Sequence, residues 1–220
     1  MMPDKEKMVE YYESLFEKHG YHYRALDWKD PVGQKIRYQV LYSITSFFSK
    51  KKGISVLDLG CGLGHFYGWL KDSKLLKDQK IDYTGYDISP KLVEAAKKKY
   101  PEAKFEVRDI LEGYFTDRFD IVICSGIFNI ILSDEAEHDS FVKEMLKRMY
   151  EASNLGVAVN FLSVAGEYYA PDKKPGEKEV YFYFKPEDIV NYVRSFSPKF
   201  VLRHDYHPGD FTAYLLKGRQ

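Results

Sequence analysis

Asp58, Asp87 and Asp109 each lie at or just beyond the end of a short apolar run, and Asp58 is followed at once by Leu59 and the glycine-rich stretch Gly60-Cys61-Gly62-Leu63-Gly64-His65. Gly60 and Gly62 let a backbone turn tightly and approach a ligand with no Cβ in the way. A dinucleotide fingerprint spaces its glycines G-x-G-x-x-G. Here the third glycine, Gly64, comes one position early and His65 takes the sixth place. A carboxylate at Asp58, two residues before the first glycine, would repel a pyrophosphate and attract an ammonium, so the implied ligand is zwitterionic or cationic. Asp87 follows Gly60 by 27 residues, at the end of the next apolar run, where an acid can accept two hydrogen bonds from ribose hydroxyls. Asp109, in Arg108-Asp109-Ile110, follows the third run, where it can accept from an exocyclic adenine amine. Any one of these acids alone is more often a helix cap or a solvated turn. Their shared order and spacing point instead to an adenosyl amino acid.

To stand on one rim, the three acids need three parallel strands. The short apolar runs 54–59, 81–86 and 104–107 supply them, and 119–124 and 157–162 continue the pattern. Helical spacing separates the runs: Phe66 to Leu70, then Val93, Ala96 and Tyr100 behind a Ser89-Pro90 cap, then Phe141, Met145, Met149 and Ala152. The alternation predicts βαβ units in a parallel sheet, with ligands at the carboxyl ends of its strands. The end of the chain departs from it. After a helix over 186–196, strands 200–206 and 211–216 are joined only by His207-Pro208-Gly209-Asp210, too short for a crossover, so they pair antiparallel. Two helices precede the sheet. Met8, Tyr11, Tyr12, Leu15 and Phe16 form the stripe of the first, which Gly20 ends. Asp30-Pro31 caps the second, whose stripe is Ile36, Val40, Ile44, Phe47 and Phe48. Residues 1–50 are therefore expected to form a helical cap and 51–220 the α/β unit.

Composition narrows the partners. The 33 Lys and Arg residues balance 33 Asp and Glu residues, so no net basic charge suggests a nucleic-acid binder. Hydrophobic residues at 45% suffice for a real core. The charged start carries no signal-peptide pattern, and no apolar run reaches the roughly 18 residues of a membrane span, so the expected location is the cytoplasm. The two cysteines, Cys61 and Cys124, read as buried thiols rather than a disulfide.

Segments 58–64, 83–89, 108–110 and 119–125 together resemble the class I S-adenosylmethionine-dependent methyltransferase family, over residues 50 to 220. The resemblance implies an α/β, Rossmann-like doubly wound sheet of seven strands in the order 3-2-1-4-5-7-6, with the last strand antiparallel. It implies S-adenosyl-L-methionine as cofactor and S-adenosyl-L-homocysteine as product. Asp58 would lie near the methionine ammonium, with Gly60, Cys61 and Gly62 beneath the cofactor. Asp87 and Ile88 would meet the ribose, Asp109 and Ile110 would flank the adenine, and Ser125 would complete the set. Arg24 is a candidate partner of the methionine carboxylate.

The acceptor pocket is expected beyond the fourth strand, around residues 125–129, with Asn129 on its wall. An Asn/Asp-Pro-Pro-Tyr/Phe run is missing there, which disfavours adenine or glutamine nitrogen as acceptor. Tyr12, Tyr21 and Trp28 are expected substrate contacts from the cap, since aromatic faces attract a sulfonium; packing the cap is the alternative. His65 and His204 are the candidate general bases, with His22 and His207 weighed beside them. His204 and Asp205 are strand neighbours and cannot pair. No histidine spacing suggests a metal. The loop 166–178, with Tyr168 and Tyr169, is a candidate acceptor-specific element. The expected activity is methyl transfer to a small-molecule O, N or C nucleophile. A protein or RNA acceptor, a cofactor binder without catalysis, and use of a decarboxylated cofactor are the alternatives.

Overall fold

Successive residues of the central strands feed two different cores. In β1 (Ser55–Leu59), Val56 packs into one apolar cluster while Leu57 and Leu59 pack into another. A strand that is apolar on both sides must be internal, so helices have to cover both faces of its sheet. The computed structural model, which describes residues 5–28, 30–48, 53–113, 115–131, 134–169 and 181–218, shows that arrangement. The other strands are β2 (Asp82–Asp87), β3 (Lys104–Val107), β4 (Phe119–Ser125), β5 (Ser153–Leu162), β6 (Lys199–Arg203) and β7 (Asp210–Leu216). They form one sheet of order β3-β2-β1-β4-β5-β7-β6. Neighbours from β3 through β5 are parallel, and β7 runs antiparallel to both β5 and β6. The topology is the expected one, and it sets the carboxyl ends of β1, β2 and β4 side by side.

The helices are α1 (Lys5–His19), α2 (Pro31–Tyr42), α3 (His65–Asp72), α4 (Leu75–Asp78), α5 (Pro90–Lys99), α6 (Glu135–Ala152) and α7 (Pro186–Val193). One core joins α6 and α7 to the sheet through Met145, Leu146, Met149 and Ile189. The other joins α2, α3 and α5 to it through Leu41, Phe66 and Val93. Several edges differ from expectation. The β5 strand starts at Ser153, directly from α6, and the final hairpin turns over 204–209 rather than four residues. Of the expected stripe through α2, Val40 and Ile44 are buried and Ile36 and Phe48 pack on the core, while Phe47 is exposed; the helix also buries Gly33, Gln34, Arg37, Tyr38 and Leu41. Arg37 lies on this buried face, and a Cβ at Gly33 would crowd its guanidinium at 2.7 Å.

Helix α1 contributes no buried residue. Its Tyr12 and Phe16 lean on a small cluster of Ala25, Leu63, Leu92 and Ala95, and polar links from Glu13 to Ser89 and from Glu17 to Lys91 fasten it to the start of α5. Residues 170–178 of the expected acceptor loop lie outside the described residues, as do the side chains of Tyr168 and Tyr169. Among the described residues no helix is long and apolar enough to cross a membrane.

Candidate cofactor and acceptor site

The glycine turn is pinned to the neighbouring strand: the amides of Gly60 and Cys61 both donate to the Tyr86 carbonyl, at 2.8 and 3.0 Å. Gly60 and Gly62 have φ of +73° and +51°, where a Cβ is strained. A Cβ would also press on neighbouring side-chain ends, which would have to shift. At Gly60 it would lie 2.5 Å from Ile127, and at Gly62 it would lie 2.8 Å from Leu26 of the cap.

The acids gather around this turn. Asp87 accepts from the Gly62 amide at 2.8 Å through one oxygen and from the Ser89 amide at 2.9 Å through the other. Burial raises its pKa, opposed by the amides of Ser89, Gly62 and Ile88. Each oxygen keeps a lone pair for a further donor. Asp58 is buried and accepts from the Tyr83 hydroxyl at 2.7 Å. Burial pushes it up to about 7, the Tyr83 bond opposes this, and the Asp87 charge adds to it. Such a carboxyl needs a cation to become fully ionised at neutral pH. Asp109 accepts from the Leu111 amide at 2.8 Å and is paired with Lys5 of α1.

One cavity of about 380 Å3 collects Asp58, Gly60, Cys61, Gly62, Asp87, Ile88, Asp109, Ile110 and Ser125 on its wall. A bare backbone turn flanked by one desolvated acid and one amide-anchored acid suits a zwitterionic adenosyl ligand in charge, hydrogen bonding and shape. The Ser125 hydroxyl is buried on that wall without a partner among the described residues. The Cys61 thiol is buried and its pKa is raised by burial, so it serves as wall rather than nucleophile.

Tyr12, Trp28 and Asn129 line the same cavity. The Asn129 side-chain oxygen accepts from the Leu162 amide at 3.1 Å, holding the end of β5. Four expected residues do not reach the wall. Arg24 is exposed on the 3-10 turn Tyr23–Leu26, with its guanidinium over Tyr23. Tyr21 lies outside, donating to the Ala95 carbonyl of α5, with Lys99 over its ring. His65 opens α3 facing Gln34 at 3.5 Å, and burial followed by the Lys99 charge lowers it to about 4. His204 is exposed, 3.3 Å from the Pro208 carbonyl.

The far wall holds residues the sequence reading passed over. Asp27, in the left-handed region at φ +60°, accepts from the hydroxyls of Tyr11 at 2.8 Å and Tyr181 at 2.7 Å, tying α1 to the segment after β5. Arg37 forms a buried ion pair with Asp210 at the start of β7 and stacks 4.9 Å from the Trp28 ring. Asp210 Oδ2 also lies 2.8 Å from His207 Nδ1. An arginine at core spacing in α2, beside Gln34, Tyr38 and Leu41, was the available signal. Among the described residues no group of three metal ligands occurs.

Known proteins resemble this chain in sequence and in fold. Residues 50–159 match the methyltransferase domain family. Rv1506c of Mycobacterium tuberculosis, named as a methyltransferase, is 30% identical over 165 residues, spanning 74% of this chain and 93% of its own. The magnesium protoporphyrin IX methyltransferase ChlM of Synechocystis PCC 6803, solved with bound S-adenosylhomocysteine, superposes with a TM-score of 0.66 at 17% identity, over 98% of this chain and all 100% of its own. The plantazolicin methyltransferase BpumL, solved with a pentazolic desmethylPZN analogue and S-adenosylhomocysteine, gives 0.64 at 15%, over 98% and 92%. At those identities the two structures speak for the fold. Family match, relative and sheet together make this chain a class I S-adenosylmethionine-dependent methyltransferase, with S-adenosylmethionine as methyl donor.

Proposed function

We propose that the chain methylates a small molecule held between the strand rim and the N-terminal cap. The observation that best supports this is one continuous, roofed cavity: the glycine turn, Met8 and Tyr12 of α1, and the far wall of Trp28 and Tyr181 line the same 380 Å3. A volume of that order suits small ligands. Bound cofactor supplies an electrophilic methyl carbon with its leaving group attached, so the protein's own task is alignment and exclusion of water. In this reading Asp58 faces the methionine ammonium, Asp87 and Ile88 the ribose, and Asp109 and Ile110 the adenine. Gly60, Cys61 and Gly62 form the floor, and Ser125 and Asn129 border the acceptor. Residues 51–220 carry the chemistry and 1–50 close over it, although α2 also packs into the sheet. The name of one structural relative, which specifies magnesium protoporphyrin IX, lends support.

The test is S-adenosylhomocysteine release from S-adenosylmethionine in the presence of a cell extract separated by molecular mass. Release is expected with the low-mass fraction. Release with the protein or RNA fraction alone overturns the small-molecule reading.

A further inference from the structure

Asp210 is fully buried, yet only one of its oxygens has partners. Its Oδ2 meets Arg37 and lies 2.8 Å from His207 Nδ1, while Oδ1 and the Arg37 Nε are buried without partners among the described residues. All three residues stand on the cavity wall, and His207 is the one histidine there among the described residues. We propose that His207, oriented by Asp210, is the general base that removes the proton from a hydroxyl acceptor, and that the acceptor is a phenol. The proposal rests on the small-molecule reading above.

The hydrogen-bond accounting fixes the tautomer. Nδ1 of His207 has two claimants, the Asp210 carboxylate at 2.8 Å and the Gly209 amide at 3.1 Å. The amide needs an unprotonated Nδ1 and the carboxylate a protonated one. A buried carboxylate at the shorter distance is the stronger partner, so the proton sits on Nδ1 and Nε2 keeps its lone pair. Arg37, pressed on Trp28, fixes the carboxylate in turn. Base, orienting acid and anchor then follow the logic of a nucleophile-activating triad.

The cluster also stands on the correct side. β4 pairs with β5 through Ser125 and Asn160, and Asp210 pairs with Leu162 at the end of β5. Asp210 is thus two strands from β4, on the order of 10 Å, beyond the strands that carry Asp58 and Asp87. As the acceptor oxygen bonds to the methyl carbon, its proton passes to Nε2 and the carbon–sulfur electron pair remains on sulfur. The imidazolium, balanced by Asp210, then releases its proton to solvent. A base is needed only by an acceptor that must lose a proton. The aromatic walls at Tyr12, Trp28 and Tyr181 favour a planar body carrying that hydroxyl.

Two measurements test this. Nitrogen-15 NMR of the ligand-free chain, with the signal assigned by its loss in His207→Asn, is expected to show neutral His207 protonated at Nδ1. A proton on Nε2 overturns the orientation. Phenol and 4-nitrophenol then serve as probe acceptors with S-adenosylmethionine at a pH where only the nitrophenol ionises unaided. His207→Asn should slow phenol methylation on the order of 10² to 10⁴-fold but 4-nitrophenol methylation less than about tenfold, with S-adenosylhomocysteine affinity by calorimetry unchanged. Equal losses on both probes, or none on phenol, overturn the base role, and no turnover of either by the unsubstituted chain overturns the phenol acceptor. Release with macromolecules alone in the fractionation assay is the separate failure of the underlying reading.

Discussion

On the cofactor side of the cavity, Gly62 reaches Asp87 across 25 positions and Tyr83 reaches Asp58 across the same number. On the acceptor side, Arg37 reaches Asp210 across 173 and Tyr181 reaches Asp27 across 154. The first half is made of strand ends and bare backbone, its closest contacts lying within β1, the glycine turn and β2, with Asp109 and Ser125 added from beyond β3 and from the end of β4. The second is made of side chains that meet only once α2, the segment after β5 and the terminal hairpin have all docked. Binding the shared cofactor therefore depends on local structure, whereas the acceptor wall doubles as a fastening of the whole fold.

The sharpest way to break that contrast is Arg37→Met. It strands the Asp210 carboxylate in the interior, and losing one partner of a buried pair costs about 3–5 kcal/mol. Denaturant unfolding should show that loss, while the folded variant binds S-adenosylhomocysteine within about twofold of the parent. A comparable loss of affinity would show the two halves to be one coupled unit. On the other side, Asp87→Ala should weaken S-adenosylhomocysteine binding by about 1–3 kcal/mol, from lost charge-assisted hydrogen bonds. Calorimetry finding full affinity would reduce Asp87 to a cap for the turn that it bonds at Gly62 and Ser89.

The same contrast explains what the sequence made legible. Asp58, Gly60 and Gly62 share one short motif and Asp87 ends the next strand, so their places on the cavity wall could be read from the sequence. The parallel sheet and its antiparallel close followed from strands alternating with helices and a final link too short to cross over, whereas the strand order came from the family resemblance. Arg24, Tyr21, His65 and His204 were chosen by residue type and proximity in sequence, and none of them lines the cavity. His65 shows why: it directly follows the glycine turn, but helix α3 directs it at Gln34. Arg37, Asp27 and Asp210 form partnerships that no local spacing announces.

Asp58 offers a finer probe of the cofactor half. Its folded pKa, about 7, lies above the ordinary aspartate value of 3.8, so the folded chain holds this proton more tightly than the unfolded chain does. The sign follows: without ligand, Asp58 favours folding at low pH, and this contribution is lost as pH rises from about 4 through 7, by up to about 1.4 kcal/mol per unit. A bound ammonium reverses the preference by selecting the carboxylate. Affinity for S-adenosylhomocysteine should therefore fall about tenfold from pH 7.5 to 6, below the α-amino ionisation near 8. Calorimetry giving a flat profile would place the ammonium away from Asp58, and Asp58→Asn should flatten it.

The smallest effect is expected where the two halves meet, at the pairing of Lys5 with Asp109. Lys5 is about a third exposed and its helix buries no residue, so water screens the pair and its removal costs about 0.2–1 kcal/mol. Helix α1 has other fastenings in Glu13 to Ser89 and in Tyr11 to Asp27, so Lys5→Ala should loosen the roof without removing it. The expected result is an S-adenosylhomocysteine affinity within about fivefold of the parent, with the change in the dissociation rate and a similar change produced in the parent by high salt. Stopped-flow measurement of both rates decides it. A loss larger than that of Asp87→Ala would mean that the cap grips the cofactor directly, and the division between a self-sufficient rim and a docked wall would have to be redrawn along α1.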